Sequence, residues 1–347
     1  MTVLNTSVIS IEQPLDPQWL VAPAETLKNG GLVAFPTETV YGLGAVFNNE
    51  RALLNIFAVK GRPADNPLIV HIWDPRQLQT LVTHISSQAE RLMDAFWPGP
   101  LTIIFPKLPV VSTVVTAGLD TVAVRMPSHP VARTLLRLTE LPVAAPSANL
   151  SGRPSPTKGA HVIQDLFGKV EQIIDAGSCS AGIESTVVKL EPEPVILRPG
   201  SVTKEMLEET LARSVAVANP DNRDHPQAPG MKYRHYAPQA PAELFEGDAE
   251  SVVAAINARL GERSAAERVV VISSSEHLTR YQNEWVLDLG PLNRPEIAAA
   301  RLYDLLRFCD QLSADRILIE GINPQGIGLA VTNRLRKAAG GHIVRVS

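Results

Sequence analysis

With 347 residues, 45% of them apolar and 20% charged, the chain is long enough for two domains, each with its own core, and too apolar for a disordered protein. Its formal net charge of −4 argues against a protein that coats nucleic acid by bulk electrostatics, while leaving room for a local basic cavity. Two cysteines, Cys179 and Cys309, suggest neither a disulfide framework nor a thiolate metal site.

"MTVLNTSVIS" carries no basic stretch ahead of an apolar one, and no apolar run reaches membrane length, so the cytoplasm is the expected compartment. Short runs rich in Val and Ile, bordered by Gly and Pro, then read as strands: "GLVAFPT", "NPLIVHIW", "LTIIFPK", "TVAVRMP", "LPVAAPS", "STVVKL" and "PVILRPG". Helical patterns lie between some of them, in "RALLNIFAVK", "SSQAERLMDAF" and "HPVARTLLRL". This is an α/β region around a large sheet, with mixed strand directions expected. After "VTKEMLEETLARS" the pattern stops, and residues 219–241, with five prolines and almost no aliphatic side chains, read as a linker. Alternation resumes in "AELFEG", "RVVVIS", "EWVLDLG" and "DRILIEGI", with helices near 248–260, 295–311 and 329–339, giving a second, smaller α/β domain.

Four loops hold residues that packing does not demand. In "KGRPADNPLIVH" (60–71), Lys60 and Arg62 stand astride a glycine, and Pro63 and Pro67 stiffen the backbone around them. In "PTETVYGLG" (36–44), Thr37, Glu38 and Thr39 follow a strand while Gly42 and Gly44 open the backbone; alone, this is a polar strand end with turn glycines. "APSANLSGRPSPT" (145–157) offers hydroxyls, an amide and backbone N–H groups suited to phosphate or ribose oxygens, and reads equally as a long surface loop. In "GIESTVVKLEPEPVILRPGS", Ser185 and Thr186 enter one strand and Arg198 leaves the next, where an arginine either clamps phosphate or pairs with a surface carboxylate.

Familiar signatures are missing: the chain has no GxxxxGK[ST] loop, no GxGxxG after a strand, no HExxH and no GxSxG. "EGINPQGIGLAVTN" joins a strand to a helix and reads better as a tight turn than as a phosphate site. A nucleotide site built from Lys60, Arg62 and Arg198 needs none of these motifs, and its metal would arrive as magnesium on the phosphates.

Taken in order, "PTETVYGLG", "KGRPADNPL", "PSANLSGRPSPT" and "STVV…ILRPG" resemble the YrdC family over residues 15–205, and "QAPGMKYRHYAP" with a further domain is similar to that family's long, two-domain form. The resemblance implies an α/β YrdC-like catalytic domain (1–214) with a large twisted mixed sheet and a basic cavity. A Pro-rich linker or lid (215–241) and a smaller, Rossmann-like C-terminal α/β domain (242–347) would follow. The implied activity is a nucleotidyltransferase joining L-threonine, bicarbonate and ATP into threonylcarbamoyl-adenylate and pyrophosphate. The product would pass to a separate transferase that modifies tRNAs reading codons that begin with A. Matched residue by residue, Lys60, Arg62, Asn66, Thr121, Ser147, Asn149 and Arg198 go to ATP, with Lys60 and Arg62 carrying catalysis. Thr39, His71, Arg125 and Ser185 go to L-threonine, with Arg125 on its carboxylate. Magnesium would come bound with ATP, and no protein metal ligand is expected. Without the resemblance His71 reads as a satisfied strand histidine, whereas Arg125, a charge in an apolar strand, wants a partner on any reading.

A mere spacer would do with Gly, Ser or plain prolines, yet "PQAPGMKYRHYAP" (226–238) sets Met231, Tyr233, His235 and Tyr236 among Lys232 and Arg234. The sequence alone reads equally as a segment packed between the domains; because an unstable carbamate needs shielding from water, the strap is expected to fold over the cavity with Tyr236 near the nucleotide. Two rival readings stand beside this one. A carbamoyl-phosphate-processing relative of hydrogenase-maturation type would carry zinc-finger-like cysteines and an acylphosphatase segment, both missing from this sequence. An RNA-binding module of the same fold would hold double-stranded RNA or tRNA on a concave basic surface without turnover, and direct tRNA contact is an open partner expectation.

Overall fold

A computed structural model of the chain describes residues 4–218 and 236–347. They divide into two units, one of residues 4–151 and 155–218, the other of residues 152–154 and 236–347. The first unit contributes β1 (Ser7–Ser10), β2 (Val33–Phe35), β3 (Gly42–Val46), β4 (Ile69–His71), β5 (Leu101–Pro106) and β6 (Thr121–Arg125). Then follow β7 (Val143–Ala144), β8 (Gln172–Asp175), β9 (Thr186–Lys189), β10 (Val195–Arg198) and β11 (Ala216–Val217). These form one eleven-stranded sheet, ordered β1-β8-β2-β3-β7-β4-β6-β5-β9-β10-β11. Its directions are mixed, as the sequence suggests: β4 runs parallel to β6, and β5 antiparallel to β6 but parallel to β9. β11 pairs with β10, so the first unit runs past residue 214.

The strands form because β-branched side chains suit a pleated, covered surface, and β4 and β6 are buried almost along their whole length. The main core, with Phe35, Leu43, Leu53, Ile56, Leu101 and Val124, is one continuous cluster. A separate small cluster of Ile69, Ile104, Ala123 and Val187 marks a second face of the central strands. Register explains it. Residues directly opposite one another point to the same side, and the pairs Ile69–Ala123, His71–Arg125, Ile104–Ala123, Thr102–Arg125 and Thr102–Val187 all lie in register. Arg198 is opposite Val187 on β10 and joins the same face. A single sheet face therefore carries an apolar floor flanked by a histidine, two arginines and a threonine.

The helix Glu50–Lys60 delivers the first basic residue. Asn49 caps its start by accepting from the Ala52 N–H, and Gly61, at φ +59, ends it in the left-handed region. Lys60 is thus the last residue of a helix whose Leu53, Ile56 and Phe57 are buried, and it does not stand in the loop itself.

The second unit is a five-stranded sheet of β12 (Ala242–Glu246), β13 (Val269–Ser274), β14 (Trp285–Gly290), β15 (Arg316–Glu320) and β16 (Ile343–Arg345). All of its pairings are parallel, in the order β14-β13-β15-β12-β16. Its helices are Ala249–Gly261, Pro295–Gln311 and Ile327–Ala338, the last entered from β15 through the glycine-bearing turn. Among the described residues no helix is long and apolar enough to cross a membrane.

Candidate functional site

Arg125 ends β6 at 3% exposure, and its guanidinium is held on three sides. Nε donates to the Gly99 carbonyl (3.2 Å), Nη1 donates to Thr39 Oγ1 (2.8 Å), and Nη2 lies 2.7 Å from Glu38 Oε1. In the last contact the N–H bonds point past the carboxylate, which makes it an ion pair rather than an aligned hydrogen bond. Thr39 is fully buried and shares a 2.8 Å hydroxyl contact with Thr37. The loop after β2 thus folds its polar side chains inward, against Arg125.

His71 lies opposite Arg125, buried, edge-on to Phe35, with no hydrogen bond to Nδ1. Burial first, and then the Arg125 charge, push its pKa down to about 3, so the ring is neutral at ordinary pH. Burial works most strongly against ionising Glu38, but Arg125 and nearby amides outweigh it and hold the carboxyl below its usual value.

Beside this pocket lies a more basic group of residues. Lys60, 3% exposed, extends its ammonium to the carbonyls of Ser147 (2.5 Å) and Asn149, with Asn149 Oδ1 at 3.5 Å. The helix end therefore organises the 145–157 loop, where Ser147 Oγ donates to Asn149 Oδ1 (2.5 Å). Arg62 Nη2 donates to the carbonyls of Asn66 and Pro67, each at 3.2 Å. The Asn66 side chain is fully buried, yet neither its amide oxygen nor its nitrogen finds a partner. Leaving such a group unsatisfied typically costs about 1–3 kcal/mol, and unsatisfied buried amides of this kind call for a ligand or water.

Ser185 ties Arg198 to β5, beside Arg125. Its carbonyl accepts from Arg198 Nε (3.1 Å), its Oγ accepts from Arg198 Nη2 (3.1 Å), and the same Oγ contacts Thr102 Oγ1 at 2.8 Å. Because Arg198 occupies the acceptor side, the serine proton is free to point at Thr102.

Of the residues expected from sequence, Thr39, His71 and Arg125 converge on one pocket, Ser185 joins Arg198, and Lys60 gathers Ser147 and Asn149. Thr121 stands at the other end of β6 from Arg125, lining a hollow with His84, Ile104 and Lys189. Tyr236 packs within the second unit, its ring 5.2 Å from Tyr303, with the Arg334 guanidinium and Lys337 ammonium each 5.9 Å from its centre. The rest of the expected strap, including Met231, Tyr233 and His235, lies outside the described residues. Sequence reading gave no role to Glu38 or Thr102. The demand of Arg125 for a partner was the one signal toward Glu38, and only register exposes Thr102.

The family profile described as "Telomere recombination", shared by Sua5, YciO and YrdC, matches residues 25–200. The profile described as "Threonylcarbamoyl-AMP synthase, C-terminal domain" matches residues 202–340. The chain is similar to the threonylcarbamoyl-AMP synthase of Pyrococcus abyssi (strain GE5 / Orsay), at 46% identity over 345 residues, covering 98% of this chain and 100% of that one. It is equally similar to the threonylcarbamoyl-AMP synthase of Bacillus subtilis (strain 168), at 46% identity over 333 residues and 95% of each chain. In structure it is similar to P. abyssi Sua5 crystallised in complex with L-threonine, with a TM-score of 0.92 at 45% identity, over 98% of this chain and 99% of that one.

Proposed function

The chain belongs to the threonylcarbamoyl-AMP synthase family, and we propose that it joins L-threonine, bicarbonate and ATP into threonylcarbamoyl-adenylate and pyrophosphate. The observation that carries this reading is a single sheet face on which a buried Arg125–Thr39–His71 pocket adjoins the Ser185–Arg198 contact.

In this reading Arg125 receives the threonine carboxylate on N–H groups left over from Thr39, Gly99 and Glu38, while Thr39, His71 and Ser185 line the rest of the threonine subsite. Lys60, Arg62, Asn66, Thr121, Ser147, Asn149 and Arg198 take ATP, with Asn66 offering a buried amide that lacks partners. The threonine amine and bicarbonate condense to a carbamate and water, and a carbamate oxygen then attacks the α-phosphate while pyrophosphate leaves. Negative charge grows on the phosphates, so fixed cations do most of the catalytic work and no covalent nucleophile is needed. Magnesium would arrive with ATP, held by phosphate oxygens and water. The product would pass to a tRNA-modifying transferase in the cytoplasm.

The test is pyrophosphate release from ATP with and without L-threonine and bicarbonate. The reading predicts that release requires both. Threonine-independent release contradicts it, and RNA binding without any turnover would favour the module reading instead.

A further inference from the structure

We propose that Glu38 sets the specificity of the amino-acid pocket: by neutralising Arg125, it lets the pocket accept a zwitterion and reject a bare carboxylate. The inference rests on the functional reading above and goes beyond it, because Glu38 is there given a new role.

Glu38 is fixed from both ends. Its backbone carbonyl accepts from the Ala181 N–H (2.8 Å), and its carboxylate lies 2.7 Å from Arg125 Nη2. Both carboxylate oxygens are buried and accept no aligned hydrogen bond, so Arg125 is the charge they answer to. Beyond a few ångströms such a pair acts almost as a neutral unit, while beside the guanidinium its N–H groups still attract an acceptor.

The other titratable groups that face Glu38 leave that balance alone. His71 on β4 and His129, ahead of the helix Pro130–Thr139, are both held below the ordinary histidine value, chiefly by burial. Burial pushes the Cys179 thiol up to about 12. All three are uncharged at neutral pH, so around Thr39 and His71 the charge is that of Arg125 and Glu38 together, namely zero, with Arg198 standing on the far side of Ser185. A ligand carrying only a carboxylate would leave one uncompensated negative charge there. An amino acid brings its own ammonium and leaves none.

The device matters because of what lies next door. A lone buried arginine close to a subsite built for ATP would attract phosphate or pyrophosphate as readily as threonine. Partial neutralisation by Glu38 removes that attraction, while the N–H groups of Arg125 still fix the position of an amino-acid carboxylate. Specificity here depends on penalising the wrong ligand as much as on holding the right one. Glu38 acts through Arg125, as a positioning and specificity-determining residue, without touching the substrate.

The experiment compares dissociation constants, by calorimetric titration, for L-threonine and for 2,3-dihydroxybutanoate, in which a hydroxyl replaces the ammonium. The wild-type chain is expected to prefer threonine by at least roughly tenfold, and Glu38→Gln to shrink that preference by about tenfold as the bare anion gains affinity. Glu38→Asp, which keeps the charge, restores the preference. Each constant reports folded molecules only, so poor folding of a variant does not move the ratio, whereas a merely structural role would weaken both ligands together. An unmoved ratio in Glu38→Gln, or a wild type that binds the two ligands equally, overturns the proposal while leaving the activity in place. Threonine-independent pyrophosphate release by the wild type would instead sink the functional reading, and this inference with it.

Discussion

At the residue scale, the site consists largely of polar groups kept in unusual states by burial. His71 is the clearest case. Its folded-state pKa, about 3, lies below the ordinary value of 6.5, so the unfolded chain binds the extra proton first as pH falls. The stability this contributes is present above pH 6.5 and is lost progressively as pH falls from there toward 3, at up to about 1.4 kcal/mol per unit. Urea denaturation between pH 6.5 and 5 should show this slope in the wild type and a flatter one in His71→Gln. Equal slopes would show that the ring is accessible to protons in the folded state. Lys60 and Arg62 belong to the same scale. Lys60→Ala and Arg62→Ala should each slow adenylate formation roughly a hundredfold, the usual cost of losing one fixed charge that meets growing phosphate charge. Near-normal turnover in both variants would reduce the pair to structural ties for the loops they hold.

At the element scale, the strands bring distant residues into one constellation, and glycines let the backbones close up. The stretch after β10 passes so near β9 that a Cβ on Gly200 would fall 2.4 Å from the Thr186 amide nitrogen and 2.7 Å from the Glu184 carbonyl oxygen. Backbone cannot step aside as a side chain can, so Gly200→Ala should displace Ser185 and Arg198 together. Its expected cost is roughly 1–3 kcal/mol of stability, as for other overpacked sites, with a rise in KM for both ATP and threonine. Thermal melting and steady-state kinetics check this, and a variant with wild-type values for all three would mean that the approach is looser than the geometry shows. Here the limits of sequence reading become physical. Each of the four loops was visible because its Gly, Pro and hydroxyl content had no packing purpose. Glu38 and Thr102 were not, because their importance comes from pairings with Arg125 and Ser185 that connect distant parts of the chain. The sequence of "TVAVRMP" demanded a partner for its arginine but could not say which acid would supply it.

At the scale of the whole molecule, the central strands of the first sheet separate two tasks by face: Val70, Ile103 and Val124 join the main core on one, and the other carries a small apolar floor ringed by charged and polar residues. The alternation of strands and helices made the two-part organisation legible. The grouping of residues 152–154 with the second unit was not, since Arg307 donates to the Pro154 carbonyl (2.7 and 3.1 Å) and the Ala237 N–H to the Gly152 carbonyl (3.1 Å), contacts that no local pattern announces. The second unit also closes around a buried acid, Glu320, which accepts from Ser273 Oγ (2.6 Å), the Ser274 N–H (3.1 Å) and Tyr281 (3.3 Å). We propose that amino-acid and nucleotide subsites share one face of the first unit's central strands, with Arg125 serving the former and Arg198 the latter. The most direct measurement follows labelled bicarbonate into the adenylate while threonine and ATP are varied separately, in the wild type, Arg125→Ala and Arg198→Ala. Label should be incorporated only with both substrates present, with a KM for threonine raised at least about tenfold in Arg125→Ala and that for ATP little changed, and the reverse in Arg198→Ala. Arg125→Ala raising the KM for ATP while sparing threonine would contradict it.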